Sequence, residues 1–333
     1  MIKDSKLKAI LEETTLFKYK TNNFDILLFN IYETGIRYSV CTNIDKILPE
    51  NLKSSPEIMI VGLTEKVENA LLNLAHCLTM QRNLFHFTII ENDETKIAAF
   101  QKKYHYLTDF VKIEFSYNFE DICGEKSYNS IFICLENQIN SIKKAIEIHY
   151  FFGEKAPNIL LFCNEIESFN TVLQEELVKK KIFLINLFEQ LAHYVFVLNE
   201  KIETRAKEAH HFWNKIYKKN SEWDTLSEHF KQSSRNQILD GYLKTYIACG
   251  KQFENIGNGL ITFTESEMET LAIMEHRRWM IEKFANHWIL GERDNENKRH
   301  DCLVHWNELP DEQRMKDYDA IYLMIKLLNN RST

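Results

Sequence analysis

The chain has 333 residues, of which 44% are hydrophobic and 12% aromatic, and its formal net charge is -7. This length allows two separate cores, and this composition excludes a disordered chain, which lacks the apolar surface to offset its conformational entropy. The negative charge without a long Lys/Arg block excludes nucleic acid as the main partner, and the lack of about 18 consecutive apolar residues predicts a soluble, cytoplasmic protein without direct membrane insertion.

The N-terminal segment, residues 1–54, is predicted to be a helical lead-in to the first domain. It contains a short predicted helix over residues 6–16. A second apolar stretch over residues 24–40 has an ambiguous period. Both pieces need a larger surface to pack against.

Six short apolar runs follow between residue 55 and about residue 200. Helix-length segments separate most of them, as the crossover connections between parallel strands require. The predicted fold class is therefore α/β, with a doubly wound, Rossmann-like parallel sheet in residues 55–200. The runs cover residues 58–61, 87–90, 111–115, 131–135, 159–163 and 182–187.

The turn after the first predicted strand keeps only part of the glycine pattern that binds dinucleotides. Gly62 occupies the first glycine position. Thr64 and Val67 replace the second and third glycines, which admit the diphosphate and allow close packing of the helix. Glu91, at the end of the second strand, stands where an acidic residue binds ribose hydroxyls. NAD or another nucleotide therefore remains a candidate cofactor, but the lost glycines favour a scaffold that no longer binds one.

The strand pattern stops near residue 200, and the rest of the chain is predicted to be mostly α-helical. Residues 201–262 are predicted to form a helical connector and residues 263–333 a C-terminal domain. Thr264 followed by Glu267 makes a capping box, which predicts a long helix through about Ala285.

Smaller polar patterns of the helical region have mostly structural interpretations. The cap-forming residues 233–236 predict a polar turn that starts a helix, and Arg235 within them is a candidate bridge between the domains. His210 and His211 point to different sides of a helix, so they cannot chelate one metal together. The seven cysteines are widely spaced and never form a C-x-x-C pair. The sequence therefore predicts a reducing compartment and no metal or disulfide framework.

The most specific pattern in the chain lies in residues 268–320. Three further stretches accompany it: residues 29–40, residues 58–63 with 87–93, and residues 205–217 with a pattern within 223–237. Together they resemble a bacterial family that joins a potassium-transport regulatory Rossmann module of the TrkA-N (or RCK) type to a C-terminal ryanodine receptor (RyR) repeat. The matched positions of the repeat are Glu275, His276, Trp279, Trp288, Gly291, Lys298, His300, Leu303, Val304, Trp306, Glu308, Leu309 and Asp317.

The resemblance extends over about residues 25–330 and departs from the repeat at three positions. His287, Leu290 and His305 stand where the repeat has a glycine, an aromatic residue and a proline. The resemblance implies a small regulatory or ligand-recognition module rather than an enzyme. It also implies an association with ion transport, because members of the family often accompany ion-transport proteins.

Aromatic residues of the repeat-like domain form the first candidate ligand site. His276 and Trp279 lie three residues apart and share a helix face. Trp288 and Trp306 follow nearby in the sequence and are candidates to complete a cluster. Such a cluster either stacks a flat ligand, holds a cation, or forms an ordinary packed core.

Basic residues of the following loop form the second candidate site. Arg293, Lys298 and His300, together with Arg299, would suit a phosphate or a nucleotide. Acidic residues alternate with them in the sequence. The alternative is therefore a solvated loop that neutralises its own charge.

These patterns predict a non-enzymatic, regulatory or ligand-sensing protein, because no catalytic motif is present. The expected partner is a nucleotide or other small molecule, or a channel or transport subunit, and a homodimer is a further expectation. Two alternatives from other classes remain: an NAD(P)-dependent oxidoreductase with a degenerate glycine motif, and a purely structural subunit.

Overall fold

The computed structural model describes residues 31–48, 55–77, 85–122, 126–163, 171–189, 199–249 and 261–329. The helix predicted over residues 6–16 lies outside this part of the chain. Two helices, α1 (Ile31–Thr42) and α2 (Ile44–Ile47), open the described region. The described part of the ambiguous stretch 24–40 is thus helical.

A six-stranded parallel sheet forms the first half of the protein, as predicted. Its strand order is β3-β2-β1-β4-β5-β6, so the chain runs outward from β1 in both directions. This is the doubly wound order of a Rossmann-like fold. The strands are β1 (Glu57–Val61), β2 (His86–Ile90), β3 (Lys112–Ser116), β4 (Ser130–Ile133), β5 (Asn158–Cys163) and β6 (Ile182–Asn186), and the helices between them are α3 (Glu65–Cys77), α4 (Glu94–Lys103), α5 (Gln138–Phe152) and α6 (Thr171–Lys179).

The second half is mostly helical. Its helices are α7 (Asn199–Ile216), α8 (Glu228–Cys249), α9 (Glu265–Ala285) and α10 (Asp311–Asn329), and a short parallel strand pair holds β7 (Ile289–Leu290) and β8 (Arg299–His300). The predicted capping box is confirmed, because the Thr264 side chain accepts the Glu267 N–H and the Glu267 carboxylate accepts the Thr264 N–H. None of the described helices is long and apolar enough to cross a bilayer.

The prediction that residues 233–236 form a turn is wrong, because these residues lie inside α8. Arg235 and Asn236 are buried there. The Arg235 guanidinium donates from Nε to Glu203 of α7, at 2.6 Å. Packing against α7 thus overrides the local tendency of Ser and Asn to end a helix. Arg235 joins two helices of the connector.

One apolar core runs through both halves of the protein. Ile36 of α1, Ile60 of β1, Leu239 of α8 and Ile281 of α9 belong to the same buried cluster. The aromatic ring of Phe284 on α9 lies 5.7 Å from that of Tyr106, which follows α4. Because α9 also packs against α3, the repeat-like domain is fixed to one face of the sheet domain. A separate cluster that includes α5 covers the opposite face.

Candidate ligand-binding sites

The glycine turn retains the backbone of a Rossmann turn at its first position. Gly62 has φ 86°, and its N–H donates to the Ile90 carbonyl at 2.9 Å. A Cβ atom at this position would lie 2.8 Å from Leu135 Cδ2. The first glycine of the pattern is therefore required by the conformation and by the neighbouring turn.

Gly62→Ala is expected to lower the free energy of unfolding by about 1–3 kcal/mol, because alanine is strained at a positive φ and its methyl group would collide with Leu135. Urea denaturation measures the change. Gly153→Ala is the matched control, since Gly153 also has a positive φ but an alanine methyl group there would meet nothing within 4 Å. An equal loss in both variants would show that the contact with Leu135 contributes nothing.

The polar groups expected to receive a dinucleotide are engaged with the chain itself. The Thr64 hydroxyl donates to the Cys134 carbonyl at 2.9 Å. One oxygen of the Glu91 carboxylate accepts the Leu63 N–H at 2.9 Å, and the other accepts the N–H groups of Asn92 and Asp93. Gly62, Thr64 and Glu91 thus form one closed turn, which favours a scaffold over a diphosphate site.

A cavity of about 520 Å³ lies beside this turn. Three lysines line it, Lys66, Lys96 and Lys103, and so do three glutamates, Glu65, Glu68 and Glu136. Their charges balance, so the cavity offers no excess positive charge to a phosphate.

A second cavity, of about 420 Å³, lies where α7 and α8 meet the repeat-like domain. We call it the junction cavity. Four of the predicted site residues line its wall: His276, Trp279, Arg293 and His300. The connector contributes the residues that sequence reasoning did not assign to a site, including His210, Trp213, Lys219, Ser233, Ser234 and Gln237.

The aromatic rings of the junction cavity form a connected group. Trp279 is stacked on His276, with ring centroids 5.8 Å apart, and makes an edge contact with His300 at 4.8 Å. Trp306 contacts His276 at 6.0 Å and Trp288 contacts His300 at 6.2 Å, but neither tryptophan lines the cavity. The predicted cluster therefore has Trp279 at the wall, with Trp288 and Trp306 behind it.

The basic loop divides into two parts. Lys298 occupies a turn with φ 51°, is exposed, and is absent from the cavity wall. Arg293 does line the cavity, and its Nη2 lies 3.3 Å from the Asp301 carboxylate. The structure thus brings Arg293 and His300 to the aromatic cluster and leaves Lys298 away from it.

A buried ionic cluster closes the inner wall of the cavity. Glu275 on α9 receives hydrogen bonds from Lys244 of α8, at 2.5 Å, and from Arg278, at 2.8 Å. Arg278 also donates to Glu282 at 2.6 Å and lies 3.4 Å from Asp240. All five side chains are buried. Each of the three carboxylates lies beside one of the two cations, so the cluster can exist away from water.

His276 is held on both sides by acceptors. One ring nitrogen, Nε2, lies 2.8 Å from the Val304 carbonyl, and Nδ1 lies 3.4 Å from the Asp317 carboxylate. Burial raises the pKa of Asp317, although His276 acts in the opposite direction. The ring is therefore fixed in orientation, and its stacked face positions Trp279 at the cavity.

The His300–Asp301–Cys302 triplet has donor atoms within 4.8 Å of one another. The Nδ1 atom of His300 accepts the Cys302 N–H at 3.1 Å, and Asp301 pairs with Arg293. Burial raises the pKa of the Cys302 thiol, which disfavours the thiolate that binds metals. We assign no metal to these residues.

The fold and the junction cavity define a Rossmann-like α/β protein that carries a mostly helical C-terminal domain. Residues 260–331 match the family model of the RyR domain. This match covers α9, the strand pair β7–β8 and α10, which together supply one side of the junction cavity. No curated protein matches the chain.

Proposed function

We propose that the protein is a non-enzymatic sensor that binds a nucleotide, or another small anion with an aromatic group, in the junction cavity. The observation that carries this proposal is the composition of the wall. Two indole rings, Trp213 and Trp279, line the same cavity as several hydrogen-bonding side chains. A volume of about 420 Å³ is in the range of cavities that bind small molecules.

The charge of the wall favours an anion. Four cationic side chains line the cavity, Lys219, Arg278, Arg293 and Lys316, against the carboxylates of Glu275 and Asp317. Arg278 is paired within the buried ionic cluster and Arg293 with Asp301, whereas Lys219 and Lys316 contact no carboxylate among the described residues. A bound anion would pair with these two lysines, whereas the lysines of the cavity beside Gly62 are matched by glutamates.

The proposal extends to the setting of the protein. The resemblance of the sheet domain to TrkA-N modules supports a cytoplasmic, bacterial protein associated with ion transport. In that setting the sheet domain would act as a scaffold, through a homodimer or a channel or transport subunit. The RyR domain match supports the recognition half of this proposal.

We expect at least one member of a nucleotide panel to raise the midpoint of thermal unfolding of the full chain. The panel contains AMP, ADP, ATP, NAD(H), NADP(H) and cyclic mono- and dinucleotides. A ligand that binds only the native state at 100 times its Kd adds about 2.7 kcal/mol of stability, which is a clear shift. Trp279→Ala should abolish the shift, and Lys219→Gln, an exposed change on the wall, should weaken it.

Thr64→Arg is the matched control, because it fills the glycine turn and leaves the junction cavity intact. If Thr64→Arg abolishes the shift and Trp279→Ala retains it, the ligand binds at the sheet and the junction cavity is not the site. In that outcome, with NAD(H) or NADP(H) as the ligand, the oxidoreductase alternative gains support. If no compound shifts the midpoint, the structural-subunit alternative replaces the sensor.

A further inference from the structure

His300 presents a hydrogen-bond donor to the junction cavity. Its Nδ1 accepts the Cys302 N–H at 3.1 Å and also lies 3.3 Å from the Asp301 Oδ1 atom. With Nδ1 as the acceptor of this shorter hydrogen bond, the proton of the neutral ring is on Nε2. His300 lines the cavity, and within the described part of the chain no acceptor for Nε2 is found. Nε2 is not among the described polar atoms that are both buried and unpaired. The donor is therefore open to the cavity.

Three cationic side chains, Arg293, Lys283 and Lys316, act on the His300 ring. Burial and the charges of Arg293, Lys283 and Lys316 together lower the pKa of His300 to about 4, against the opposing effect of Asp301. The ring consequently stays neutral at pH 7, and the potential around it is positive. Lys316 and Arg293 line the cavity together with His300.

Lys283 contributes its charge from behind the aromatic cluster. Its ammonium lies 4.2 Å from the Trp288 ring centroid and 5.9 Å from that of Trp279. Within the described residues it makes no hydrogen bond or ion pair to an acid. Its ammonium is thus held mainly by aromatic rings, and the nearby Glu282 carboxylate acts on it without contacting it.

Arg293 has an internal partner that is easily displaced. Its Nη2 lies 3.3 Å from the Asp301 Oδ1 atom, and the side chains are 46% and 58% exposed. Ion pairs exposed to this degree are weak, because water screens them. Arg293 lines the cavity and Asp301 does not, so Arg293 can exchange Asp301 for a ligand without moving far.

We propose that the His300 end of the junction cavity is a phosphate subsite, in which Asp301 competes with the ligand's phosphate for Arg293. This inference rests on the proposed function and names the group that the cavity recognises. His300 donates through Nε2–H, and Arg293 and Lys316 supply the charge. Asp301 pairs with Arg293 in the absence of ligand. A ligand must therefore attract the Arg293 guanidinium more strongly than the Asp301 carboxylate does. A phosphate, with its higher charge, is favoured over a neutral ligand.

Inorganic pyrophosphate is the probe, because it carries the charge of a nucleotide without a base. The full chain is labelled with [15N]histidine, and the His300 resonance is assigned by comparison with His300→Gln. Pyrophosphate is expected to shift the His300 resonance in a saturable manner. Asp301→Asn should bind pyrophosphate about two- to fivefold more tightly, because the weak competing pair is removed.

Two matched controls separate a specific contact from the general field of the protein. Glu296→Gln removes one negative charge from the same exposed region and should leave the affinity unchanged. Arg293→Gln should weaken binding by about tenfold or more, as the loss of a hydrogen bond to a charged group does. Lys298→Gln removes the same charge outside the cavity wall and should have little effect.

The proposal is wrong if pyrophosphate leaves His300 unshifted in both the wild type and Asp301→Asn, or if Asp301→Asn gains no more affinity than Glu296→Gln. Nucleotide binding that requires Trp279, without a pyrophosphate effect at His300, would retain the sensor and reject the phosphate subsite. Pyrophosphate binding at His300, with no nucleotide bound by the chain, would confirm the subsite and reject the nucleotide sensor.

Discussion

Glu275→Ala is expected to lower the free energy of unfolding by about 3–5 kcal/mol, one of the two largest effects that the structure predicts. The Glu275 side chain is 5% exposed and receives hydrogen bonds from two buried cations, Lys244 and Arg278. Removing it leaves both cations in the protein interior without their shared partner. Urea denaturation followed by circular dichroism measures the change.

Glu269→Ala is the matched control, because Glu269 lies on the same helix and is exposed. It should change the free energy of unfolding by no more than about 0.5 kcal/mol. A loss below about 1 kcal/mol in Glu275→Ala would contradict the ionic cluster as the structure shows it.

The same carboxylate should make stability depend on acid pH. Burial acts to raise the pKa of Glu275, but Arg278 and Lys244 outweigh it and lower the pKa from 4.5 to about 2. A carboxylate whose pKa is lower in the folded state adds stability above its unfolded pKa and loses it as pH falls. The stabilisation should therefore disappear between about pH 4.5 and pH 2, and Glu275→Gln should flatten this part of the profile.

Ile281→Ala is expected to lower the free energy of unfolding by about 2–5 kcal/mol, since it removes a fully buried side chain from the core that joins α9 to the sheet domain. Because that core is continuous, the wild type and the variant should each unfold in a single cooperative transition. Circular dichroism and tryptophan fluorescence should give the same midpoint.

Ile289→Ala provides the control, because Ile289 is 51% exposed and its truncation should be nearly neutral. Two separate unfolding transitions, with only the later part of the chain affected by Ile281→Ala, would show that the two halves fold independently and that the shared core contributes little.

The sheet could be predicted from the sequence because its strands are buried on both faces. Each strand therefore appears in the sequence as a continuous apolar run, such as the one around Ile60 or Leu160. Such a run can be recognised without knowledge of the neighbouring strands. The start of α9 was also visible, since a capping box is formed within four consecutive residues. The strand ends shifted by one or two residues, because hydrogen bonding to neighbouring strands decides where each strand ends.

The buried ionic cluster was missed because charged residues in a helix are usually exposed. The sequence does hold a signal, since Glu275, Arg278 and Glu282 are spaced three and four residues apart with alternating charge. Lys244 and Asp240 come from another helix, and no local pattern places them there. The junction cavity has the same character, because its walls come from residues 209–237 and 275–323. Sequence reasoning found the side supplied by the repeat-like domain and missed the connector side, His210 included.

Glu275, which the buried ionic cluster holds in place, lies at the middle of the 21 residues of helix α9. On the N-terminal side of Glu275, Leu271 and Met274 pack against α10. On the C-terminal side, Ile281 and Phe284 pack against the sheet domain. At 1.5 Å per residue the helix is about 31 Å long, so a tilt of about 5° moves each end by roughly 1.4 Å in opposite directions. Because α9 packs against α10 at one end and the sheet domain at the other, a ligand that tilted this helix would change contacts in both halves of the protein.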